Sequence, residues 1–342
     1  MASVSRQLPL FPPEIERLFE QLPIVGEQAD IRYFATRARS VLNGLAVTGM
    51  NFWTINPYVG CAFGCAYCYA RYAHRYVMER SATAGRLDDA LAGDMDAMPP
   101  WLAFERRIFV KRNAPEVLAR TLRNGGDRYL ALAQGDTILI GSATDPYQPA
   151  ERTFRITRQI LEVLAEHPGL RLTIITKSPL ITRDIDLLRR IVRFSEIHVH
   201  LSLITLDRDL ARRIEPRAPT PDARLRALRR LRDAGIDAGI NCMPVLPGIT
   251  DDPAALDALV RTVRDAGATH VSACALRLDK TARLRYFPFL AQEFPELATR
   301  YHNSYAHGRN VGARYRAGLA RYMASLYERY GLPQTGRDDA RA

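Results

Sequence analysis

A parallel α/β sheet wound by right-handed crossovers is the fold this sequence predicts, on three observations. Six short β-rich segments alternate with helical ones between Phe52 and Leu276, and helices of about ten to fifteen residues between strands are the mark of βαβ units. The chain is long enough, at 342 residues and 47% hydrophobic, to bury a substantial core. Polar and Gly/Pro-rich stretches follow the strand segments directly, which is where parallel α/β folds collect functional groups.

Taken in order, residues 1–50 read as an N-terminal extension, in which Pro12 to Leu22 has the composition of a short helix with proline in its first turn. Phe52-Trp53-Thr54-Ile55 is a short strand stopped by Asn56-Pro57. Tyr69 to Arg80 has helical composition, and periodicity then collapses from Ser81 to Trp101, where Gly85, Gly93, Pro99 and Pro100 mark an irregular insertion. Arg107–Lys111 reads as a strand followed by a helix over Ala114–Arg123, and both are assigned to an insertion spanning about residues 81–125 of the core. The remaining strand and helix pairs are Thr137–Ile140 with Arg155–His167, Leu172–Thr176 with Ile181–Phe194, His198–Leu203 with Ala223–Ala234, and Asp237–Val245 with Pro253–Ala266. His270–Leu276 is the last strand. From Arg285 the pattern becomes helices rich in Tyr and Arg, including Tyr315–Arg329, so residues 51–280 form the core and 281–342 a C-terminal helical appendage.

The formal charge is +11, carried almost wholly by arginine, since Lys111, Lys177 and Lys280 are the only lysines. A chain this basic attracts polyanions, although its cations are interspersed with acids along amphipathic helices, so nucleic acid is one candidate partner class. Met1–Pro13 lacks the apolar run of a signal peptide, and no stretch has the length of a membrane span, so no membrane is expected. Five cysteines in so long a chain make no disulfide framework, which together with a thiolate site points to a reducing, cytoplasmic setting.

Three of those cysteines lie in Asn56-Pro57-Tyr58-Val59-Gly60-Cys61-Ala62-Phe63-Gly64-Cys65-Ala66-Tyr67-Cys68-Tyr69-Ala70-Arg71. Gly60 and Gly64 let the backbone curl so that three thiolates converge. A structural zinc takes four ligands, and His74 is the only nearby candidate for the fourth. Three thiolates suit a 4Fe-4S cluster with one iron open to a small molecule. Cys61-x3-Cys65-x-Tyr67-Cys68 resembles the radical S-adenosylmethionine signature, and the wider Asn-Pro-Tyr-x-Gly-Cys text is similar to the spore photoproduct lyase branch of that superfamily. The resemblance covers about residues 30–280. It implies an open partial (β/α)6 TIM-type barrel, a 4Fe-4S cluster on Cys61, Cys65 and Cys68, and S-adenosylmethionine chelated by the fourth iron. Tyr67 matches the position whose neighbourhood packs on the adenine.

The loop Gly141-Ser142-Ala143-Thr144-Asp145-Pro146-Tyr147-Gln148-Pro149-Ala150-Glu151 crowds polar side chains after a buried strand, which is costly unless they serve a ligand. By resemblance, Thr144 and Asp145 stand near the amino group and sugar of the cofactor, while Tyr147, Gln148 and Glu151 shape the loop. Lys177 ends an apolar strand, where an ammonium would face the mouth and pair with a carboxylate. The resemblance puts it on the methionyl carboxylate, and Ser202 on the same cofactor. His198 and His200 alternate onto one face of their strand, either into the barrel toward substrate or outward against helices. Pro244-x-x-Pro247-Gly248-x-Thr250-Asp251 closes the next strand and caps the following helix through Thr250 or Asp251. Cys242 and Cys274 read as small core hydrophobes.

The activity this implies is reductive cleavage of S-adenosylmethionine to a 5′-deoxyadenosyl radical that abstracts hydrogen from a substrate, with flavodoxin or ferredoxin as electron donor. In the lyase a cysteine three residues before the aspartate of the second-strand loop returns hydrogen to the product radical, and that place here is Ser142, whose O–H bond is too strong for the task. Three readings stay open: a radical enzyme acting on nucleic acid or peptide, one acting on a small metabolite, and a non-catalytic Fe-S carrier or sensor.

Overall fold

The structure is a computed structural model that describes residues 24–28, 30–74, 98–124, 132 and 135–333. The helix expected over Pro12–Leu22, the end of the helical segment Tyr69–Arg80 and most of the irregular stretch Ser81–Trp101 lie outside the described residues.

In chain order the strands are β1 (Ile24–Gln28), β2 (Ile31–Thr36), β3 (Leu42–Asn43), β4 (Trp53–Ile55), β5 (Tyr58–Val59), β6 (Arg107–Lys111), β7 (Thr137–Ile140), β8 (Arg171–Thr176), β9 (Glu196–Ser202), β10 (Asp237–Val245) and β11 (Val271–Ala275). The six expected strands β4, β7, β8, β9, β10 and β11 pair side by side in that sequence, every pairing parallel. β3 adds an antiparallel edge beside β4, so the seven-stranded sheet ends on β3 and β11 and does not close.

The connecting helices lie on one face of this sheet. Ile138, Ile140, Leu172, Ile174, Val199, Leu201 and Ile240 share a single buried cluster with Leu118, Ile160, Leu188, Leu228 and Leu259 of those helices. Each such side chain contributes about 1.5–3 kcal/mol on burial. Because side chains alternate along a strand, Leu139, Thr173, Ile175, His198, His200, Asn241 and Cys274 stand on the other face, the interior of the open barrel.

A second sheet, in the order β1, β2, β6, β5, joins residues on both sides of the cysteine loop: β1 with β2 and β5 with β6 are antiparallel, β2 with β6 parallel. Arg107–Lys111 and the helix Ala114–Arg123 fall where expected, and β6 acts as the centre of this sheet. The helix Lys280–Glu293 packs Tyr286 and Leu290 against Phe63, Ala66 and Tyr67, while Ala313–Arg329 packs Met323 and Leu326 into the main core. After β10 the cap of the helix Pro253–Asp265 is Asp252, which accepts from the Ala255 amide, rather than Thr250 or Asp251. Those two instead brace the turn, Thr250 accepting from the Leu246 amide at 2.8 Å and Asp251 from Gly248 at 2.7 Å. Among the described residues no helix is long and apolar enough to cross a membrane.

Candidate functional site

The cysteine loop follows β4 and β5 and is fixed from four directions. Gly60 has φ +86°, and a Cβ there would stand 2.7 Å from the Phe104 carbonyl oxygen, the group that accepts from the Cys61 amide at 2.9 Å. Gly64 has φ +68°, and its Cβ would stand 2.3 Å from Glu105 Oε2. The Ala66 amide donates to Ile214 at 3.0 Å, Arg217 Nε donates to the Ala62 carbonyl at 2.5 Å, and Arg71 Nη2 to the Cys65 carbonyl at 2.8 Å. Arg71, Arg217 and Arg285 all face the single buried carboxylate of Glu105, at 3.6, 2.9 and 3.6 Å, leaving an excess of positive charge behind the loop.

The loop after β7 is riveted to the same place. Gln148, fully buried, accepts from the Ala62 amide at 3.0 Å and donates to the Gly60 carbonyl at 3.0 Å, and Thr144 Oγ1 donates to that carbonyl at 2.6 Å. Asn56 Nδ2 donates to Ser142 Oγ at 2.9 Å while its Oδ1 accepts from the Ala143 amide at 2.8 Å. Glu151 accepts from the Tyr58 hydroxyl and from Arg183 Nη2, at 2.5 and 2.8 Å. Asp145 accepts from Thr176 Oγ1 at 2.6 Å and from the Lys177 amide at 2.8 Å, which ties this loop to the end of β8. Tyr147, Gln148 and Glu151 thus lie within the loop they were expected to shape.

Lys177 Nζ lies 3.9 Å from Glu215 and 5.6 Å from the centre of the Tyr67 ring. Glu215 is buried, accepts from the Tyr67 hydroxyl, and pairs at 2.5 Å with Arg224, itself 1% exposed. Burial alone would lower the Lys177 ammonium, but the charges of Cys65 and Glu215 hold it up at about 12, so it is cationic at any physiological pH. Glu215 feels the same opposition: burial raises its pKa, Arg224 and Lys177 lower it further, and it stays ionised. Neither Glu215 nor Arg224 was visible to sequence reasoning, because each looks like one more charge in an Arg-rich helical stretch. The signal lies in Glu215-Pro216, an acid held at a helix end that proline closes.

Of the expected site residues, the structure brings Cys65, Tyr67 and Lys177 together around Glu215, with Thr144 and Asp145 on the adjoining loop. Ser202 ends β9 with 5% exposure on the interior face, its carbonyl held by Arg224 Nη1 at 2.9 Å. His198 and His200 lie on that interior face too, lower along β9. His74 is buried with Nε2 2.8 Å from the Arg107 carbonyl and its ring among Phe104 and Phe109, a structural place. Cys242 is a buried core residue as expected, and the structure puts it on the helix face. Cys274 is not a core residue: alternation puts it on the interior face, where it is exposed. Tyr69, 47% exposed, donates its hydroxyl to the Ser142 carbonyl.

All three loop cysteines are free thiols, and burial raises the pKa of each, that of Cys65 to about 12. Thiols so placed become ligands only when a metal centre displaces their protons. Among the described residues no three His, Cys, Asp or Glu side chains are close enough to share one metal ion. A polynuclear cluster has no such need, since each thiolate serves its own iron. The cationic surroundings from Lys177 and the arginines around Glu105 suit a centre that brings three thiolate charges into a buried loop.

A family model described as the radical SAM superfamily matches residues 55–259. An uncharacterized protein of Mycobacterium tuberculosis is 34% identical over 280 residues, which cover 82% of this chain and 75% of that protein. One of Methanocaldococcus jannaschii is 28% identical over 221 residues, covering 65% and 70%. Among solved structures, a spore photoproduct lyase mutant with bound AdoMet and dinucleoside spore photoproduct superimposes with a TM-score of 0.60 at 14% identity, over 92% of this chain and 86% of that one. At such identity the likeness concerns the fold, a partial barrel.

Proposed function

The chain belongs to the radical SAM superfamily, and from that premise we propose that Cys61, Cys65 and Cys68 hold a 4Fe-4S cluster and that Lys177 binds the carboxylate of S-adenosylmethionine. Tyr67, Thr144, Asp145 and Ser202 line the rest of the cofactor position. The observation that carries this reading is the convergence of Tyr67 and Lys177 on one buried carboxylate at the strands' C-terminal ends, with Cys65 near enough to feel the charges of both Lys177 and Glu215. When bound, the cluster and cofactor supply reductive cleavage to a 5′-deoxyadenosyl radical.

The chain's own residues do the positioning. Asn56, Thr144, Gln148 and Glu151 lock the two loops so that Cys61 cannot drift, and the buried hydrogen bonds are worth about 1 kcal/mol each. Glu215 and Arg224 hold the Lys177 end of the site in a fixed electrostatic frame. An acidic one-electron carrier such as flavodoxin or ferredoxin serves as donor, and the chemistry requires a reducing compartment such as the cytoplasm. The reaction abstracts hydrogen from a substrate admitted to the open interior face, with nucleic acid or peptide the leading class, because that face is unclosed and the chain strongly basic.

Anaerobic reconstitution with iron, sulfide, S-adenosylmethionine and a low-potential reductant tests the reading. Formation of 5′-deoxyadenosine supports it, and its absence from a protein carrying a full cluster would overturn it.

A further inference from the structure

Below the cofactor position, toward the N-terminal ends of β9, β10 and β11, five side chains form an unbroken line. His198 Nδ1 lies 2.7 Å from Asp237 Oδ2. The Thr269 hydroxyl meets Asp237 Oδ1 and lies 3.0 Å from His270 Nδ1. His270 Nε2 lies 3.0 Å from His200 Nδ1. Gly239 makes room for this contact, since a Cβ there would stand 2.6 Å from the His270 ring and 2.3 Å from its carbonyl oxygen.

These contacts admit one consistent placement of protons when the rings are neutral. Asp237 is ionised and can only accept, so Thr269 donates to it, with the Ala238 carbonyl 3.1 Å away as a second acceptor of the same proton, and must accept from His270 Nδ1–H. Neutral His270 then has only a lone pair at Nε2, which must accept from His200 Nδ1–H. Asn241 Oδ1, 3.2 Å from the same Nδ1, shares that proton. The lone pair of His200 Nε2 is thereby left free of protein partners among the described residues. His200 lies two residues before Ser202 on the same strand face, about 7 Å down the barrel interior from that cofactor-lining residue.

We propose that His200, His270, Thr269 and Asp237 form a proton relay linking the barrel interior to solvent, and that it serves the substrate held beside the cofactor. The inference rests on the reading of that interior as the reaction chamber. A proton leaving the substrate is taken by His200 Nε2; the Nδ1 proton of His200 passes to His270 Nε2, and that of His270 Nδ1 to Thr269. Thr269 gives its own proton to the Asp237 carboxylate, which releases it directly to water, since His198 Nδ1 already carries the proton it donates to Asp237. One proton enters and one leaves, no electron moves, and no further reactant is consumed; run in reverse, the line delivers a proton.

Exposure runs in the required direction. The His198 and Asp237 side chains are 41% and 38% exposed and the His270 side chain 8%, so the outer end is wet and the middle is not. Burial and the neighbouring His270 push His200 down to about 3, which keeps it a neutral acceptor at rest. The other charges beside the line are Arg171 and Glu196, from β8 and β9 near His198, and Arg232 near His270.

The test reads ring protonation by nitrogen NMR of 15N-histidine-labelled, reconstituted protein in the oxidised state. In the wild type, His200 and His270 should each carry their proton on Nδ1. Thr269→Val removes the acceptor of His270, so the His270 proton should move to Nε2 and force the His200 proton from Nδ1 to Nε2, two hydrogen bonds from the substitution. Asp237→Asn, which lets the amide donate toward Thr269, should reverse the line in the same way and serves if the valine variant does not fold. A wild-type His200 protonated on Nε2, or a His200 signal that neither variant moves, would overturn the relay. Assaying 5′-deoxyadenosine from the wild type alongside keeps the readings apart, because its absence sinks the cofactor assignment while the ring-nitrogen pattern still decides the relay.

Discussion

Lys177 and Glu215 show how much single residues decide here. Replacing Lys177 with Ala leaves Glu215 paired to Arg224 and Tyr67, so the site should still fold, while S-adenosylmethionine binding weakens by about 1.5–3 kcal/mol, the range for a charge-assisted hydrogen bond. Isothermal titration on reconstituted protein measures this, and unchanged affinity would place Lys177 away from the cofactor. Glu215→Gln strands Arg224, a buried guanidinium, and breaking a buried ion pair costs about 3–5 kcal/mol. Urea denaturation should show that loss; a cost near zero would mean that water already supports Arg224. Ser142 carries a third expectation. If product quenching in the lyase reaction needs a thiol there, this chain should cleave S-adenosylmethionine yet repair spore photoproduct poorly, and Ser142→Cys should improve any residual repair. Efficient repair by the unmodified chain, persisting when Cys242 and Cys274 are both replaced by Ala, would refute that. The cysteines, Lys177 and the Thr144-Asp145 loop were legible because rare residue types stood directly after strands. Glu215 was not, because its role comes from Lys177 and Tyr67, which only folding brings to it.

Among the elements, the cysteine loop depends on backbone that only glycine supplies without strain. Gly64→Ala would put a methyl group against Glu105 and Arg217 at a positive φ that alone costs about 1–2 kcal/mol. Iron content after reconstitution should fall well below that of the wild type, and full loading at wild-type thermal stability would show that the loop yields. The strands β9 to β11 carry a pH dependence of their own. His200 sits far below its ordinary value, so the unfolded chain takes up a proton near pH 6.5 that the folded chain refuses, and stability falls as pH drops from there toward about 3. His198, raised by its hydrogen bond to Asp237, works in the opposite direction: its contribution is present below pH 6.5 and is lost as pH rises through its folded value. His200→Gln should therefore lose less stability between about pH 7 and pH 4 than the wild type, as measured by chemical denaturation at each pH. All six parallel strands were readable from alternation of apolar strand and amphipathic helix. β1, β2 and β3 were not, since Ile31-Arg32-Tyr33-Phe34-Ala35-Thr36 alternates too briefly to stand out and its partner strand lies more than seventy residues away.

For the molecule as a whole, the reading requires one cluster per chain: about four irons after anaerobic reconstitution, and a triple Ala replacement of Cys61, Cys65 and Cys68 that holds none. The open sheet, with its helices all on one side, was foreseen, but the second sheet that clasps the cysteine loop was not, because it is assembled from segments distant in sequence. The loop's separate tie to Arg217 carries a consequence for how the protein is made. Arg217 holds the Ala62 carbonyl across 155 residues of chain, so at about 5–20 residues per second a ribosome needs roughly seven to thirty seconds between making the three cysteines and making the residue that secures them. Throughout that interval the thiols have no finished pocket, and iron offered then would meet an unclasped loop. On the proposed reading, cluster insertion would then follow synthesis of Arg217 rather than accompany synthesis of the cysteines.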